Sequence, residues 1–327
     1  MSPAIKGSMA AATAAADPSR LPLPRHASDA ARAVLSRPHS ATPAFPDTSD
    51  IAAWRSLASQ MNSAKTASSE GLLKVLPADV SRADLGDAPA WLARPRTASA
   101  RDGKLVLALH GGGLVFFGGA ANVGADAAAK ALITGRPTYG LDYRVPPDHP
   151  FPAALNDGVG AYGALLKHRK PRDVVILGDA GGAGLAAALV MRLRDEGLPT
   201  PGGLILLTPE VDLTESGDTF ASLMGIDPVF TASLLPVSRL YAGQAELTDP
   251  LVSPIFGDVR GFPPTLVQSG TRDVLLSSAV TLHRKLRRAN VRAELHVWEG
   301  MPHGGFGGMT PEDREVAAEV QAFLGAL

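Results

Sequence analysis

The chain has 327 residues, 45% of them hydrophobic, and a formal net charge of −1, which suffices for one large domain with a well-buried core. The near-neutral charge and the lack of a basic stripe predict no nucleic-acid partner, and the lack of cysteine excludes disulfides, a catalytic thiol and thiolate metal sites. No apolar run approaches the length of a membrane span, and the eight histidines form no ligand pair. We therefore predict no membrane span, no metal, no cofactor and a cytoplasmic location.

Two stretches in the N-terminal part of the chain have helical patterning. They are Ser28–Leu35 and Ile51–Met61, with a proline-rich stretch at 38–46 between them. Residues 1–8 end in Gly-Ser before a second methionine and resemble an expression scar. From about residue 71 onward, predicted strands alternate with helices, which indicates a mainly parallel sheet covered on both faces.

A glycine run follows an apolar segment that has the pattern of a buried strand. Leu105–Leu109 leads into His110, Gly111, Gly112 and Gly113. Backbone N–H groups can stabilise the negative charge that develops in acyl transfer, provided that no side chain blocks their approach. Three successive glycines behind a strand favour such an anion site over a plain turn.

Residues 178–182 read Gly-Asp-Ala-Gly-Gly, between an apolar strand at 173–178 and a helix-forming segment at 183–194. Strand, sharp turn and helix, with small residues two positions either side of the centre, form the frame of a nucleophile elbow. Ala180 occupies the nucleophile position, and Gly181 would offer a further backbone N–H. A dinucleotide-binding loop fits less well, because the glycine spacing does not match its fingerprint.

Two later strands lead to titratable side chains. Leu266–Asp273 ends in a carboxylate, and Ala293–Gly300 leads into His303. Residue 180, Asp273 and His303 follow one another in the order nucleophile, acid, base, which is the order of α/β-hydrolases. Each residue alone has a structural explanation, but their occurrence together at strand ends favours a catalytic triad.

These motifs resemble those of the hormone-sensitive-lipase-like (bacterial type IV) carboxylesterases of the α/β-hydrolase superfamily. The similarity rests on the His-Gly-Gly-Gly run at 110–113, the elbow at 178–183 and the Asp-Tyr-Arg segment at 142–153, and it spans about residues 105 to 306. It implies an α/β-hydrolase fold with a mainly parallel eight-stranded sheet flanked by helices and covered by a helical cap. It also implies that Asp273 is the acid, that His303 is the base, and that the N–H groups of Gly111, Gly112 and Gly181 form the oxyanion hole.

The resemblance divides the chain into a core, at 71–211 and 255–327, and a cap made from 9–70 and the insertion 212–254. The insertion is too long for a simple connection, and its Thr231–Gly243 segment is predicted to be a helix that Asp227-Pro228 opens. Both cap segments carry apolar residues that need burial. The predicted substrate-binding residues are Phe116, Phe117, Met224 and Phe230.

Alanine at position 180 departs from the family, and Glu210 stands where the family often has tryptophan. A methyl group has neither a lone pair to attack a carbonyl nor a proton for a base to take. We favour an engineered loss of the serine over a natural one, because the acid, the base and the glycines are retained. The expected function is hydrolysis of small, short-chain carboxylic esters through an acyl-enzyme, in a form that Ala180 inactivates.

Two alternatives stay open. One is a naturally non-catalytic ligand-binding protein with the hydrolase fold, and the other is a lactone or amide hydrolase. In each case the expected partner is a small molecule, and the sequence leaves a homodimer open.

Overall fold

The structure is a computed structural model that describes residues 21–37, 39, 42–96 and 102–327. Residues 1–8, interpreted as an expression scar, lie outside these ranges. The strands in the described part of the chain are β1 (Ala78–Leu85), β2 (Ala88–Pro95), β3 (Leu105–Leu109), β4 (Thr138–Leu141), β5 (Val174–Asp179), β6 (Gly203–Leu207), β7 (Thr265–Arg272) and β8 (Ala293–Pro302). They form one eight-stranded sheet in the order β1-β2-β4-β3-β5-β6-β7-β8. Within this sheet, β2 runs antiparallel to both neighbours and the other strands are parallel to one another. The predicted mainly parallel sheet is confirmed.

The burial of the strands follows from their place in the sheet. Every residue of β3 is buried, as are all residues of β5 and β6 except the last one of each. Central parallel strands are covered on both faces, so they read as continuous apolar runs. β1 lies at an edge and has buried residues only at its two ends. β8 continues two residues beyond the predicted end, to Pro302, and so runs almost to His303.

Helices lie on both faces of the sheet. They are α1 (Asp29–Leu35), α2 (Ile51–Val75), α3 (Ala120–Thr134), α4 (Ala153–Leu166), α5 (Gly181–Asp195), α6 (Asp218–Leu223), α7 (Leu235–Ala242), α8 (Leu276–Arg288) and α9 (Pro311–Gly325). Alternate strand residues point to opposite faces. On one face Leu107 and Ile176 belong to a core with α4, α5 and α8, whereas on the other Val106 and Val175 pack with α9 and α3. In the described residues, no helix is long and apolar enough to cross a membrane.

Helix α2 and the 212–254 segment share one apolar cluster, whereas Ala31 of α1 packs with Met301, Phe306 and Val316 of the core. Trp54 of α2 is fully buried and belongs to the shared cluster, together with Phe116, Phe230 and Val237. The ring of Phe45 stacks on Trp54 with centroids 5.9 Å apart. Two segments that are remote in sequence are therefore held together by burial of their apolar side chains.

The helix bounds differ from the prediction in both of these segments. α2 extends from Ile51 to Val75, so it continues well past the predicted end at Met61 and through the predicted boundary at 70. In the insertion, α7 begins at Leu235 rather than Thr231. The preceding residues are committed to other contacts, since Thr231 exchanges hydrogen bonds with Thr42 and the Leu234 N–H donates to the Glu215 carboxylate. Asp227-Pro228 is therefore not the start of a helix.

Candidate active site

Ala180 lies at a strained turn between β5 and α5. Its backbone has φ 50° and ψ −123°, a conformation that costs a non-glycine residue on the order of 1–3 kcal/mol and persists only when the surroundings enforce it. Here the Ala180 N–H donates to Leu207 O at 3.0 Å, and its carbonyl accepts from Ala183 and Glu210 at 3.0 and 3.1 Å. Bonds from three directions hold residue 180 in this geometry.

The glycines of the elbow are required by close backbone contacts. A Cβ on Gly178 would lie 2.2 Å from Gly182 O, and one on Gly182 would lie 2.3 Å from Leu109 O. A Cβ on Gly184 would lie 2.2 Å from Glu210 O. Since real contacts of this kind do not occur, the turn and the start of α5 can pack against β3 and the segment after β6 only with glycine at these positions.

Asp273 and His303, from the loops after β7 and β8, lie side by side. His303 Nδ1 is 3.1 Å from Asp273 Oδ1. The other carboxylate oxygen accepts from Ser269 Oγ at 2.7 Å, and Leu275 N donates to Oδ1 at 3.0 Å. Asp273 is fully buried and His303 nearly so. The carboxylate is therefore held in one position by two donors besides the imidazole that it orients.

A second buried carboxylate joins the same two loops. Asp227, in the 212–254 segment, accepts from His303 N at 3.3 Å, Val274 N at 3.1 Å and Val229 N at 3.0 Å. Burial raises its pKa to about 6, and the nearby His303 acts in the opposite direction. Asp227 thus links the insertion to the segments that carry Asp273 and His303.

The charges around His303 favour its protonated form. Burial lowers the pKa of His303, but the charge and hydrogen bond of Asp273, with smaller contributions from Asp227 and Glu210, outweigh it and raise the pKa above its ordinary value. Glu210 is 4% exposed, and burial raises its pKa to about 7. Three carboxyl groups therefore surround one imidazole.

The glycine run after β3 presents free backbone donors beside Ala180. In the described part of the chain, the N–H groups of Gly111, Gly112 and Gly181 donate to no protein acceptor. Gly112 has φ 112°, and a Cβ there would lie 2.4 Å from Phe116 O. Only glycine fits this turn, which leaves the N–H groups accessible.

Ala180 and His303 line one cavity of about 630 Å³. Of the predicted substrate-binding residues, Phe116, Phe117 and Phe230 line it. The Phe230 ring lies 4.7 Å from the His303 ring, measured between centroids. Met224 is not among the residues that line the cavity but packs against the apolar cluster instead. Met224 immediately precedes a turn that is closed by the bond from Gly225 N to Phe230 O, and its side chain is used in the packing of the cluster.

The comparisons with known proteins agree with this architecture. A model of the alpha/beta hydrolase fold family matches residues 106–306. The chain belongs to the α/β-hydrolase family. The match includes the glycine run, the elbow, Asp273 and His303.

Relatives of this α/β-hydrolase are named as an acetyl-hydrolase or as esterases. An acetyl-hydrolase of Streptomyces hygroscopicus is 33% identical, over 78% of this chain and 84% of its own length. The crystal structure of esterase E25 is 35% identical with a TM-score of 0.87, covering 93% of this chain and 95% of that one. An esterase from the bacterial hormone-sensitive lipase family is 30% identical with a TM-score of 0.74, over 90% and 95% of the two chains. The expected similarity to the hormone-sensitive-lipase-like branch is confirmed, and the interpretation of Ala180 as a replaced serine stays a prediction.

Two residues of this α/β-hydrolase site escaped the sequence analysis. Asp227 was interpreted as a helix start, because Asp-Pro is a common one, and no local signal shows that its carboxylate reaches the loops after β7 and β8. Ser269 lies inside β7, where its hydroxyl bonds Asp273 four residues later. Glu210 was noticed only as a departure from the family, although its place after β6 could have indicated the site.

Proposed function

We propose that this protein is a carboxylic ester hydrolase of the serine type whose nucleophile position holds alanine. One observation carries the proposal: Ala180, in the strained turn between β5 and α5, lines the same cavity as the imidazole that Asp273 orients. The esterase relatives support the reaction class. Ala180 supports the inactive state, because a methyl group can neither attack nor give up a proton.

In the serine form, the chain's residues divide the reaction between them. Asp273 occupies His303 Nδ1, so Nε2 takes the proton of the serine hydroxyl as the oxygen attacks the ester carbonyl. The N–H groups of Gly111, Gly112 and residue 181 stabilise the oxyanion. His303 then returns the proton to the leaving alcohol, and water attacks the acyl-enzyme by the same route.

The segment from residue 42 to the end of α2 acts as a cap in this proposal, together with the 212–254 segment. They contribute Phe45, Met61, Phe230 and Leu234 to the cavity. A cavity of about 630 Å³ is within the usual range for small-molecule sites. We infer a preference for acyl chains of about two to six carbons, since the aromatic side chains at 116, 117 and 230 limit the length of an extended chain.

A binding protein without turnover is the second candidate, and Ala180 itself is the observation that favours it. An ester can bind in the cavity and at the glycine N–H groups without a serine. The buried Asp273–His303 pair does not need one to form either. A lactone or amide would meet the same groups. The ester-cleaving activity of the chain with serine at position 180 distinguishes these candidates.

The test compares the chain as it stands with Ala180→Ser and Ala180→Gly, using p-nitrophenyl acetate and butyrate. Loss of a catalytic serine costs about 10⁶-fold in kcat in a serine protease, so Ala180→Ser should raise turnover by several orders of magnitude. Ala180→Gly changes the side chain without adding a hydroxyl and should stay inactive. Failure of Ala180→Ser to gain activity on esters, with its fold intact, would reject the esterase proposal and favour the binding protein.

A further inference from the structure

One side of the cavity is polar, in contrast to the aromatic side formed by Phe116 and Phe230. Its side chains come from α2, α3 and the ends of β3 and β5. We call these residues the polar wall: Ser69, His110, Asn122, Asp126 and Asp179. A Cβ built on Gly111 would lie 2.6 Å from Asp179 Oδ2 and 3.4 Å from the Ala180 Cβ, so the polar wall begins beside the reacting position.

Three buried polar atoms of the polar wall have no partner among the described residues. They are Ser69 Oγ, His110 Nε2 and Asn122 Oδ1. The three residues are 0%, 3% and 4% exposed. A buried polar atom without a hydrogen bond is costly, so three of them on one cavity wall indicate a ligand group that completes their bonding.

Two of the three atoms are acceptors. His110 Nδ1 lies 2.7 Å from Gly111 O, and because a carbonyl oxygen only accepts, the ring proton is on Nδ1 and Nε2 carries a lone pair. Burial lowers the pKa of His110, which keeps the ring neutral. Asn122 Nδ2 donates to Asn62 O and Gly118 O at 3.3 and 3.0 Å, which fixes Oδ1 as the free acceptor. Ser69 Oγ can both donate and accept.

The charged part of the polar wall is already internally paired. Lys130, 4% exposed at its side chain, contacts both carboxylates, with Asp126 Oδ2 at 2.6 Å and Asp179 Oδ1 closer still. Burial lowers the pKa of Lys130, but the two carboxylates outweigh this effect and raise it. Lys130 also donates to Leu109 O at 3.4 Å, so its three protons are in use. Lys65 of α2 also lines the cavity, but it is exposed and its Nζ lies 5.8 Å from the centroid of the Phe117 ring. The buried unpaired groups of the polar wall are therefore two neutral acceptors and one hydroxyl.

We propose that the polar wall binds hydroxyl groups of the ester substrate, so that the preferred substrates carry a hydroxyl on the acyl or the alcohol part. This inference rests on the proposed ester hydrolysis and names its substrate class. A hydroxyl donates one hydrogen bond, to one of the two acceptors, and its oxygen can accept from Ser69 Oγ. Two hydroxyls would therefore pair both acceptors. A plain alkyl group would leave all three atoms unpaired, and sites built to bond a hydroxyl discriminate strongly against analogues that lack it.

The test measures hydrolysis of matched ester pairs by the Ala180→Ser enzyme, with pH-stat titration of the acid that is released. Glycerol 1-monobutyrate against n-propyl butyrate places hydroxyls on the alcohol side, and methyl 6-hydroxyhexanoate against methyl hexanoate places one on the acyl side. The hydroxylated member of at least one pair should have a kcat/KM at least about 10-fold higher. Methyl 6-aminohexanoate carries an ammonium group in place of the hydroxyl and tests whether the polar wall prefers a cation.

Two substitutions connect the preference to the polar wall. Ser69→Ala and Asn122→Leu should each bring the ratio of kcat/KM within the preferred pair toward one. Ser68→Ala is the matched control, because this exposed neighbour on α2 lies outside the cavity, and it should retain the ratio. Calorimetry with the Ala180 form measures the same preference as binding of glycerol monobutyrate over propyl butyrate, without any turnover.

The outcomes separate this inference from the proposed function. If Ala180→Ser cleaves p-nitrophenyl butyrate but shows equal kcat/KM within both ester pairs, the hydroxyl subsite is wrong and the esterase proposal stands. A ratio that both wall variants leave unchanged would overturn the inference, as would preference for the ammonium ester over the hydroxyl ester. If no ester is cleaved, the proposed function fails, and calorimetry alone decides the hydroxyl subsite.

Discussion

Replacing Glu210 by glutamine should change how folding stability depends on pH. Burial raises the pKa of this carboxyl from its ordinary value of 4.5 to about 7. Because folding raises the pKa, the folded protein holds the proton more tightly than the unfolded chain does. The stabilisation from this protonated carboxyl is complete below the unfolded value of 4.5 and is lost as pH rises through about 7.

The size of the effect follows from the same two values. A difference of one pH unit corresponds to about 1.4 kcal/mol, so the full loss is about 3 kcal/mol, and most of it falls between pH 5 and pH 8. Glutamine is nearly isosteric and cannot ionise. The free energy of unfolding of Glu210→Gln, relative to the unsubstituted chain, should therefore rise by about 2–3 kcal/mol between pH 5 and pH 8.

The assay is urea denaturation followed by circular dichroism at several pH values from 5 to 8. Glu246→Gln provides the matched control, since this glutamate is exposed on the surface, and it should show no such trend. The prediction is wrong if the free energies of unfolding of Glu210→Gln and of the unsubstituted chain differ by the same amount at every pH in this range. That result would mean that the carboxyl of Glu210 titrates alike in the folded and unfolded states.

Three further substitutions test positions around the site, and a fourth, Gly163→Ala, is a control for one of them. In the serine form, Asp227→Asn should lower kcat about 10-fold and, because the charge of Asp227 raises the pKa of His303, should shift the acidic limb of the kcat/KM profile to lower pH. Gly182→Ala should destabilise the fold by about 3 kcal/mol in urea denaturation, because its Cβ would lie 2.3 Å from a backbone oxygen. Gly163→Ala has open space around the new Cβ and should stabilise helix α4 by about 0.5–1 kcal/mol. Phe116→Ala should move the optimum in a p-nitrophenyl ester series from about two to six carbons toward longer chains.

Each of these expectations has a result that contradicts it. An unshifted acidic limb in Asp227→Asn would mean that this carboxylate only stabilises the fold. Equal stability of Gly182→Ala and Gly163→Ala would show that the elbow has room for a side chain. An unchanged chain-length optimum in Phe116→Ala would remove this ring from the wall that limits the acyl group.

The fold could be predicted because its central strands and turns have strong local signals. β3, β5 and β6 are continuous apolar runs, since parallel strands buried on both faces tolerate little else. A Cβ on Gly178 or Gly182 would lie 2.2–2.3 Å from a backbone oxygen. Only glycine fits at these positions, so the packing constraint is visible in the sequence itself. Asp273 and His303 follow strands whose carboxyl ends meet at one edge of a parallel sheet, which makes their proximity predictable from chain order.

What could not be predicted depends on contacts between remote segments. Thr42 forms a hydrogen bond with Thr231, 189 positions away in the sequence, and α7 begins only at Leu235. Nothing near Thr231 in the sequence indicates this contact. Met224 packs against an apolar cluster that also contains Trp54 of α2, and this contact between remote segments has no local signal either. The polar wall combines α2 with α3 and two strand ends, so its three unpaired atoms become a group only in the folded chain.

Covalent labelling shows whether residue 180 occupies the position of an activated nucleophile. The Ala180→Ser protein is treated with an alkyl fluorophosphonate, which reacts with a serine hydroxyl only when a neighbouring base activates it, and the product is analysed by intact mass and peptide mapping. We expect one adduct per chain on residue 180, no adduct on the Ala180 form, and a strongly slowed reaction when His303→Ala is combined with the serine. An unlabelled Ala180→Ser protein that is correctly folded, or equal labelling of the Ala180 form at another residue, would contradict this expectation.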